Sequence, residues 1–276
     1  MRSLKNVAAR SAISGASLIP ALVMILATTA ILWASEKNGR KTSTSNLSIK
    51  SDPEAQAELF FPLRAGNWWV YRGTVTWSDQ QTEKEARAEV TLKMSVEKVI
   101  QKPEFTIAVL SGFPRDLDWA TGEVPAMPWL LIETKRHEIF VNSLPPDFDY
   151  AKLEKDAAAL DKLLAEDNLL FRWPLKPGMK FGDAESIGRD DGHYCWVVES
   201  QGTRKLSDIK GVPVKSAEVS VLHFITNPDD TEIELSPGTG IISYLYHHHG
   251  TVADTSLTLV EFHAATTLPT PPGAKP

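Results

Sequence analysis

Cysteine is almost absent from this chain. Cys195 is the only one, so no intrachain disulfide can form. A chain of 276 residues can instead be held together by its own hydrophobic core. Eight Trp, ten Phe and five Tyr supply large side chains for that core. Because no cysteine lies near the N-terminus, a lipid-modified N-terminal cysteine is not expected.

Acidic residues are absent from the first 35 positions, where Arg2, Lys5 and Arg10 precede an uncharged run from Ser11 to Ser35. A basic flank followed by an apolar stretch is the pattern that directs a chain to a membrane. Residues 1–35 are therefore predicted to be a signal peptide or a transmembrane helix that anchors the chain. The remainder is expected to work outside the cytoplasm, in the cell envelope, either membrane-anchored or secreted or periplasmic.

The sequence leaves open whether this segment is cleaved. Its uncharged run exceeds the about 20 residues that a helical span needs, and Trp33 would suit the membrane–water interface of an anchor. Small residues at Thr28 and Ala30, or Ala34 before Ser35, would instead suit a cleavage site. Both alternatives therefore stand.

A basic surplus is also lacking. The first 35 residues hold three of the 29 Lys and Arg residues and none of the 35 Asp and Glu residues, so the remainder has a net charge of −9. Nucleic-acid binding needs a basic face. The composition therefore argues against nucleic acid as a partner.

Signatures of catalysis and cofactor binding are missing. The chain has no G-x-S-x-G elbow and no P-loop. His137-Glu138 begins an H-E-x-x-H zinc motif, but Val141 replaces the second histidine. Asp116 and Asp118 begin a calcium-loop pattern that lacks its later ligand positions. We therefore predict no catalytic, cofactor-binding or metal residues, no cofactor, and a protein that is not an enzyme.

One histidine cluster keeps an alternative open. His247 and His249 fall on one face of a predicted strand, where both could reach one metal ion. A hairpin turn near Thr251 would place Asp254 opposite His249 as a third ligand. Without further ligands the favoured interpretation is a solvated strand end whose imidazoles pair with Asp254 or stack on tyrosines. The alternative is a metal-dependent hydrolase that uses His247 and His249.

Asp191, His193 and Cys195 form a second set of zinc-ligand types at alternating positions. Residues two apart on a strand lie about 6.5–7 Å apart at Cα, which makes three ligands from one strand awkward. Asp190-Asp191-Gly192 resembles a turn, and a lone cysteine is by default a buried, inert thiol. A zinc site is not expected here.

Strand patterns dominate the chain after residue 58. Residues from Ala86 to Glu97 alternate between apolar and polar side chains, which predicts a long strand with one solvated face. Strands with one solvated face are typical of antiparallel sheets. Further strands are predicted for residues 67–77, 105–110, 129–133, 138–142, 194–199, 214–226, 231–235, 241–248 and 256–263.

A single helix is predicted after Pro145 from an apolar stripe at helical spacing, formed by Leu153, Ala157, Leu160 and Leu164. We expect a mainly β fold: a curved antiparallel sheet or half-barrel with one packed α-helix, preceded by the N-terminal hydrophobic helix. The β-rich domain is predicted to span residues 58–263. A polar linker at 36–57 precedes it, and a disordered Pro-rich tail at 264–276 follows it.

Two connections stand out. Asn227–Asp230 fits a type I turn with proline at its second position. Gly112–Met127 is a long loop between predicted strands. Loops of that length are often functional, although this one contains no motif that indicates a particular reaction or ligand.

One short sequence pattern occurs twice in the chain. Phe61–Gly66 (FPLRAG) and Trp173–Gly178 (WPLKPG) share the pattern aromatic-Pro-Leu-basic-x-Gly, and each has an aromatic residue at the third position after its glycine. A tight turn in which glycine takes a positive φ explains the pattern. We expect two similar strand entries and, from them, an ancient duplication.

Two segments carry a resemblance to known proteins. Phe61–Gly73 follows the pattern FPLxxGxxWxYxG, and Pro237–Tyr246 follows PGxGIIxYxY. In these motifs the chain resembles uncharacterised bacterial secreted or lipoprotein-like β-rich proteins, and it is weakly similar to curved-sheet periplasmic carriers of lipids and lipoproteins. The resemblance implies a secreted antiparallel β domain and brings no catalytic residues. The chain departs from the lipoprotein members in lacking the lipidated cysteine.

These observations predict a binding protein that holds a lipid or another apolar ligand in a concave sheet. Trp68, Trp77, Met94 and Trp196 are the candidate wall residues, and the alternative for each is a plain place in the hydrophobic core. The membrane is a further expected partner, through residues 1–35. An alternative of another class is a structural envelope module that binds an envelope protein through an exposed sheet edge.

Overall fold

The computed structural model describes residues 61–79, 82–119, 127–155 and 157–265, without the side chains of residues 154–158. The predicted signal peptide or anchor at 1–35, the linker at 36–57 and residues 266–276 of the predicted tail lie outside these residues. Within the described ranges, no helix is both long enough and apolar enough to cross a membrane.

The described residues form a mainly β fold, as the alternation predicts. Their twelve strands are β1 (Trp68–Ser78), β2 (Glu85–Gln101), β3 (Phe105–Ser111), β4 (Pro128–Thr134), β5 (Glu138–Ser143), β6 (Leu169–Arg172), β7 (Lys180–Phe181), β8 (Trp196–Lys205), β9 (Ser216–Ile225), β10 (Asp229–Ser236), β11 (Gly240–His248) and β12 (Ala253–His263). Three short α-helices lie between them: α1 (Ala151–Lys155), α2 (Ala157–Leu163) and α3 (Ala184–Ile187). Two 3₁₀ turns cover Pro114–Leu117 and Glu166–Asn168.

All twelve strands belong to one antiparallel sheet, in the order β6-β5-β4-β3-β2-β1-β12-β11-β10-β9-β8-β7. Consecutive strands pair within each half of the chain, and the pair β1–β12 joins the two halves. The edge strands β6 and β7 contact each other. The predicted curved antiparallel sheet is confirmed, and it curves beyond a half-barrel into a nearly closed barrel.

The alternation in β2 explains which face of the sheet becomes the core. Val90, Leu92, Met94 and Val96 are buried, whereas the residues between them are exposed or half-buried. Successive side chains of a strand point to opposite faces, so one face of β2 lies in the interior and the other in solvent. Buried apolar side chains from both halves fill the barrel interior as one hydrophobic core.

The two copies of the aromatic-Pro-Leu-basic-x-Gly motif adopt the same local structure. Gly66 and Gly178 both take a positive φ, +87° and +84°. The Gly66 amide donates to the Val96 carbonyl at 3.0 Å, and the Gly178 amide donates to the Val198 carbonyl at 2.8 Å. Each motif therefore ends in a glycine turn that leads into a strand, β1 or β7. The turn is held by a hydrogen bond to the neighbouring strand, β2 or β8.

The strands whose carbonyls accept these hydrogen bonds, β2 and β8, also have matching register shifts. A register shift follows Val96 in the β2–β3 pair and Val198 in the β8–β9 pair, and the residue skipped is a glutamate in each case, Glu97 or Glu199. Six antiparallel strands follow each motif in chain order. The two halves of the sheet, β1 to β6 and β7 to β12, thus share their strand number, their entry turn and their register shift, and the duplication stays a prediction.

The predicted helix is present as α1 and α2. Leu153 is buried, and Leu160, Leu163 and Leu164 pack against the core. Asn142 of β5 donates its side-chain amide to the Leu163 carbonyl at 3.0 Å. The helical segment therefore packs on the sheet next to β5, as the apolar stripe predicts.

The predicted type I turn over Asn227–Asp230 is wrong. The Asn227–Pro228 peptide is cis, and β10 already begins at Asp229. The Thr226 amide donates to the Asp229 carbonyl at 2.6 Å, and the Asp229 amide donates to Thr226 Oγ1 at 2.9 Å. The connection between β9 and β10 therefore consists of Thr226, Asn227 and Pro228.

Candidate functional site

The segment Phe113–Trp119, which we call the plug, follows β3 and lies against the buried face of β11 and β12. Its first turn needs Gly112, which has a φ of +68° and whose added Cβ would lie 2.2 Å from the Lys93 carbonyl oxygen. Thr255 of β12 donates its hydroxyl to the Leu117 carbonyl at 2.8 Å. These contacts hold the plug on strands that are distant from it in sequence.

Two tyrosines of β11 bind two carboxylates beside the plug. The Tyr244 hydroxyl donates to Asp118 Oδ1 at 2.6 Å, and the Tyr246 hydroxyl donates to Asp229 Oδ1 at 2.9 Å. Burial raises the pKa of both phenols, and the charges of Asp118 and Asp229 add to that effect. The phenols are therefore held in the protonated form that donates to the carboxylates.

His248 closes this cluster at the end of β11. Its Nδ1 accepts from the backbone amides of Gly250 and Thr251, at 3.1 and 3.0 Å. The ring proton therefore lies on Nε2, which is 3.9 Å from Asp229 Oδ1. The Trp119 ring packs edge-on against His248, with centroids 4.4 Å apart.

Asp116 is a buried carboxylate on the other side of the plug. Trp129 Nε1 donates to its Oδ1 at 2.6 Å, whereas its Oδ2 has no hydrogen-bond partner among the described residues. Burial raises the pKa of Asp116 to about 6, against the opposing effect of the Trp129 hydrogen bond. Its ionised form is therefore only partly satisfied by the surrounding protein.

Asp118 is more strongly perturbed. Burial raises its pKa to about 7, against the opposing effects of the Tyr244 hydrogen bond and the Arg115 charge. The neighbouring charges of Asp229 and Asp116 raise the pKa of Asp118 further. A carboxyl group that titrates near neutral pH is thus built into the contact between the plug and β11.

This titration predicts a specific pH dependence of stability. Between about pH 4 and pH 7 the folded protein keeps a proton on Asp118 that the unfolded chain has released, so the free energy of unfolding falls as the pH rises. Asp118→Asn removes the buried charge that the wild type carries at pH 8. The variant is therefore expected to have a free energy of unfolding about 3 kcal/mol higher than the wild type at that pH. Urea denaturation at pH 5 and pH 8 measures the difference.

The control for this experiment is Asp161→Asn, at an exposed position of α2. It should leave the difference between the two pH values as in the wild type. An Asp118→Asn variant that loses stability from pH 5 to pH 8 as steeply as the wild type would show that Asp118 does not titrate in this range.

A cleft opens between the plug and the barrel wall. It encloses about 440 Å³, part of which is open to solvent. Its walls come from the plug, from β5, β6, β8, β10 and β11, and from the 3₁₀ turn before β6. The lining residues are Phe113, Arg115, Val141, Asp167, Asn168, Leu170, Trp196, Ile233, Ile241 and Tyr244. Apolar and aromatic side chains thus form most of the wall, with a few polar groups among them.

The four predicted wall residues have different places. Trp196 lines the cleft, Met94 is fully buried in the core, and Trp77 packs partly buried against the core. Trp68 stacks on His263 with ring centroids 5.2 Å apart, and Lys93 Nζ lies 5.2 Å from the centre of its ring. Trp68 therefore belongs to the outer face of the sheet, because alternation sends its side chain to the opposite side from buried Trp69.

The predicted histidine pair is brought together, but its third ligand is misplaced. The rings of His247 and His249 lie 4.7 Å apart, nearly perpendicular. Asp254 stands opposite His247 in the β11–β12 register and binds its Nδ1, as the favoured interpretation of an imidazole paired with Asp254 expects. It does not stand opposite His249, where the alternative of a metal site would place it. Within the described ranges, no three His, Cys, Asp or Glu side chains are placed to hold a metal ion.

Asp191, His193 and Cys195 lie in a turn that precedes β8. Arg189 and the His193 amide both bind the Asp191 carboxylate, and the Arg189 hydrogen bonds lower its pKa to about 2. The buried Cys195 thiol lies 3.6 Å from the Gly192 carbonyl oxygen. The turn interpretation is confirmed, and these side chains serve local structure.

Sequence reasoning missed the aspartates of the plug. The sequence marks Asp116 and Asp118 only as an incomplete calcium loop, and it marks Gly112–Met127 only as a loop long enough to be functional. The available signal was the composition of FPRDLDW, in which two aspartates alternate with large apolar residues. Such a segment either stays exposed or buries its carboxylates, and only the tertiary structure decides between the two.

Comparisons with known proteins leave the chain without a family. No protein-family model matches it, and no curated protein matches it. Among solved structures, a Bacteroides fragilis protein with a YmcC-like fold, whose export is inferred, matches 75% of this chain and 99% of its own length. The sequence identity is 10% and the TM-score is 0.37. A TM-score this low does not establish a common fold, so the interpretation depends on the residues of this chain.

Proposed function

We propose that this protein is an extracytoplasmic, non-enzymatic binding protein that holds a small apolar or amphipathic ligand in the cleft beside the plug. The observation that carries the proposal is the cleft itself, walled by Phe113, Trp196, Ile233, Ile241 and Tyr244. Binding sites for small molecules are concave, mostly apolar and aromatic, with a few polar groups that orient the ligand. The basic and apolar N-terminal segment supports the location outside the cytoplasm.

The size of the cleft limits the ligand. The volume of about 440 Å³ includes open solvent at the mouth of the cleft, so the cleft walls enclose only part of a ligand. A partly enclosing site of this kind favours one acyl chain or a small ring system over a phospholipid with two chains. The rest of the barrel interior is occupied by core side chains.

The alternatives receive less support. A metal-dependent hydrolase would need ligands in addition to His247 and His249, and among the described residues Asp254 binds His247 and not His249. For an envelope interaction module, the edge strands β6 and β7 are short and contact each other. Short, mutually covered edges are poor templates for adding a strand.

The test is to narrow the cleft at its rim. Asn168 is half-buried and lines the cleft, so Asn168→Trp is expected to lower the affinity for a ten-carbon alcohol by about tenfold or more, through the loss of apolar burial. Isothermal titration calorimetry on the full-length protein measures the change.

The matched control is Glu166→Trp, two residues earlier and exposed. It should bind the alcohol as the wild type does. If the wild type itself fails to bind decanol or any comparable apolar ligand saturably, the proposed function is wrong.

A further inference from the structure

Arg115 is a cation at the edge of an apolar cleft. Its side chain is 50% exposed, and it lines the cleft next to Phe113. The guanidinium stacks near Trp129, with Cζ 5.9 Å from the ring centre. This places a fixed positive charge where one end of a ligand would lie, while the apolar walls surround the remainder.

The carboxylate that faces Arg115 neutralises it weakly. Arg115 Nε lies 3.9 Å from Asp118 Oδ2, which is beyond hydrogen-bond distance. The other oxygen of Asp118 already accepts from Tyr244. Among the described residues, Arg115 therefore has no carboxylate at hydrogen-bond distance, and its N–H groups can donate to an anionic group of the ligand.

The charges around Arg115 limit the charge of that anion. Asp116 and Asp118 come from the plug, Asp229 comes from β10, and Asp167 also lines the cleft. These carboxylates repel any anion, and they repel a doubly charged headgroup twice as strongly as a singly charged one. A single carboxylate matches the guanidinium fork in charge and in geometry.

We propose that the ligand of the cleft is a medium-chain carboxylate, whose headgroup binds Arg115 in competition with Asp118. This proposal rests on the proposed function, because it identifies the chemical class of the ligand in the same cleft. The chain occupies the apolar part between Phe113, Trp196 and Ile233, and the carboxylate remains at the rim.

The competition makes binding depend on pH. The charged and titratable groups that face Asp118 are Arg115 and Asp116 of the plug, Asp229 of β10, and Tyr244 and Tyr246 of β11. Because burial raises the pKa of Asp118 to about 7, Asp118 becomes neutral below that pH and no longer competes for Arg115. The ligand is then bound more tightly at pH 6 than at pH 8.

The experiment compares ten-carbon chains that differ only in the headgroup. Calorimetry on the full-length protein at pH 6 is expected to show decanoate binding about tenfold more tightly than decanol, the size of one charge-assisted hydrogen bond, with decylamine weakest. Arg115→Gln should reduce decanoate binding to the level of decanol and leave decanol unchanged. Arg115→Lys keeps the charge and should retain most of the preference.

Two further variants complete the test. Arg87→Gln, at an exposed position of β2, should bind all three ligands as the wild type does. The wild type should bind decanoate about tenfold more weakly at pH 8 than at pH 6, and Asp118→Asn should show a clearly smaller change. The change that remains comes from Asp116, whose pKa burial raises to about 6.

The outcomes separate this inference from the function on which it rests. Equal binding of decanoate and decanol, with no effect of Arg115→Gln, overturns the assignment of a carboxylate and leaves an apolar binding cleft in place. Preferential binding of decylamine overturns it as well. Failure of all three chains to bind overturns the proposed function.

Discussion

Replacing Gly73 by alanine is expected to lower the free energy of unfolding by about 3 kcal/mol or more. Gly73 lies in the middle of β1, where an added Cβ would stand 1.7 Å from the Ser256 carbonyl oxygen and 3.0 Å from Leu257 Cα. These atoms belong to the backbone of β12, so no side-chain rotation can relieve the clash. The pair β1–β12 would have to separate, and it is the pair that joins the two halves of the sheet.

The chain offers a matched control for this prediction. Gly202 also lies within a strand, β8, but a Cβ added there has nothing within 4 Å. Gly202→Ala is expected to change the free energy of unfolding by less than about 1 kcal/mol. Urea denaturation of both variants measures the contrast, and equal stabilities would mean that β1 and β12 do not approach as closely as described.

Truncation of Trp69 is expected to cost about 4 kcal/mol. The indole is fully buried, its Nε1 donates to the Thr239 carbonyl at 2.6 Å, and its ring lies 5.9 Å from Phe61 and 5.4 Å from Phe262. Trp69→Ala removes apolar contacts from the barrel interior and leaves a buried carbonyl without its donor. Guanidinium chloride denaturation gives the change in the free energy of unfolding.

Trp68, its neighbour in β1, provides the control. It is half-buried on the outer face, stacked on His263 and near Lys93. Trp68→Ala is expected to cost about 1 kcal/mol, the size of a stacking and cation–π contact at a partly exposed site. Similar losses for the two variants would contradict the assignment of Trp69 to the interior and Trp68 to the surface.

The sequence predicts the individual strands better than it predicts that the sheet curves into a nearly closed barrel. The alternation over Ala86–Glu97 identifies β2 and its buried face, because the period of two is a property of neighbouring residues. The contact between β6 and β7 leaves no such signal, since these strands are only four and two residues long. Their contact depends on the curvature accumulated over the whole sheet.

The candidate site was only partly predictable for the same reason. Trp196 was a candidate wall residue because it is large and apolar, and the structure places it in the cleft. The polar part of the site depends on Tyr244, whose hydroxyl donates to Asp118 beside Arg115. Tyr244 and Asp118 lie 126 residues apart in sequence. Burial of a carboxylate by a distant strand cannot be read from local sequence, so the polar part of the site was missed.

The central claim is that the cleft beside the plug is the ligand-binding site. Photolabelling of the full-length protein with a decanoic acid that carries a diazirine on its chain tests this claim most directly, because the labelled residues identify the site. We expect the label on cleft residues such as Phe113, Trp196 and Ile233, and we expect excess decanoate to compete it away. Labelling confined to the outer face, near Trp68 and His263, or labelling that decanoate does not reduce, would contradict the account.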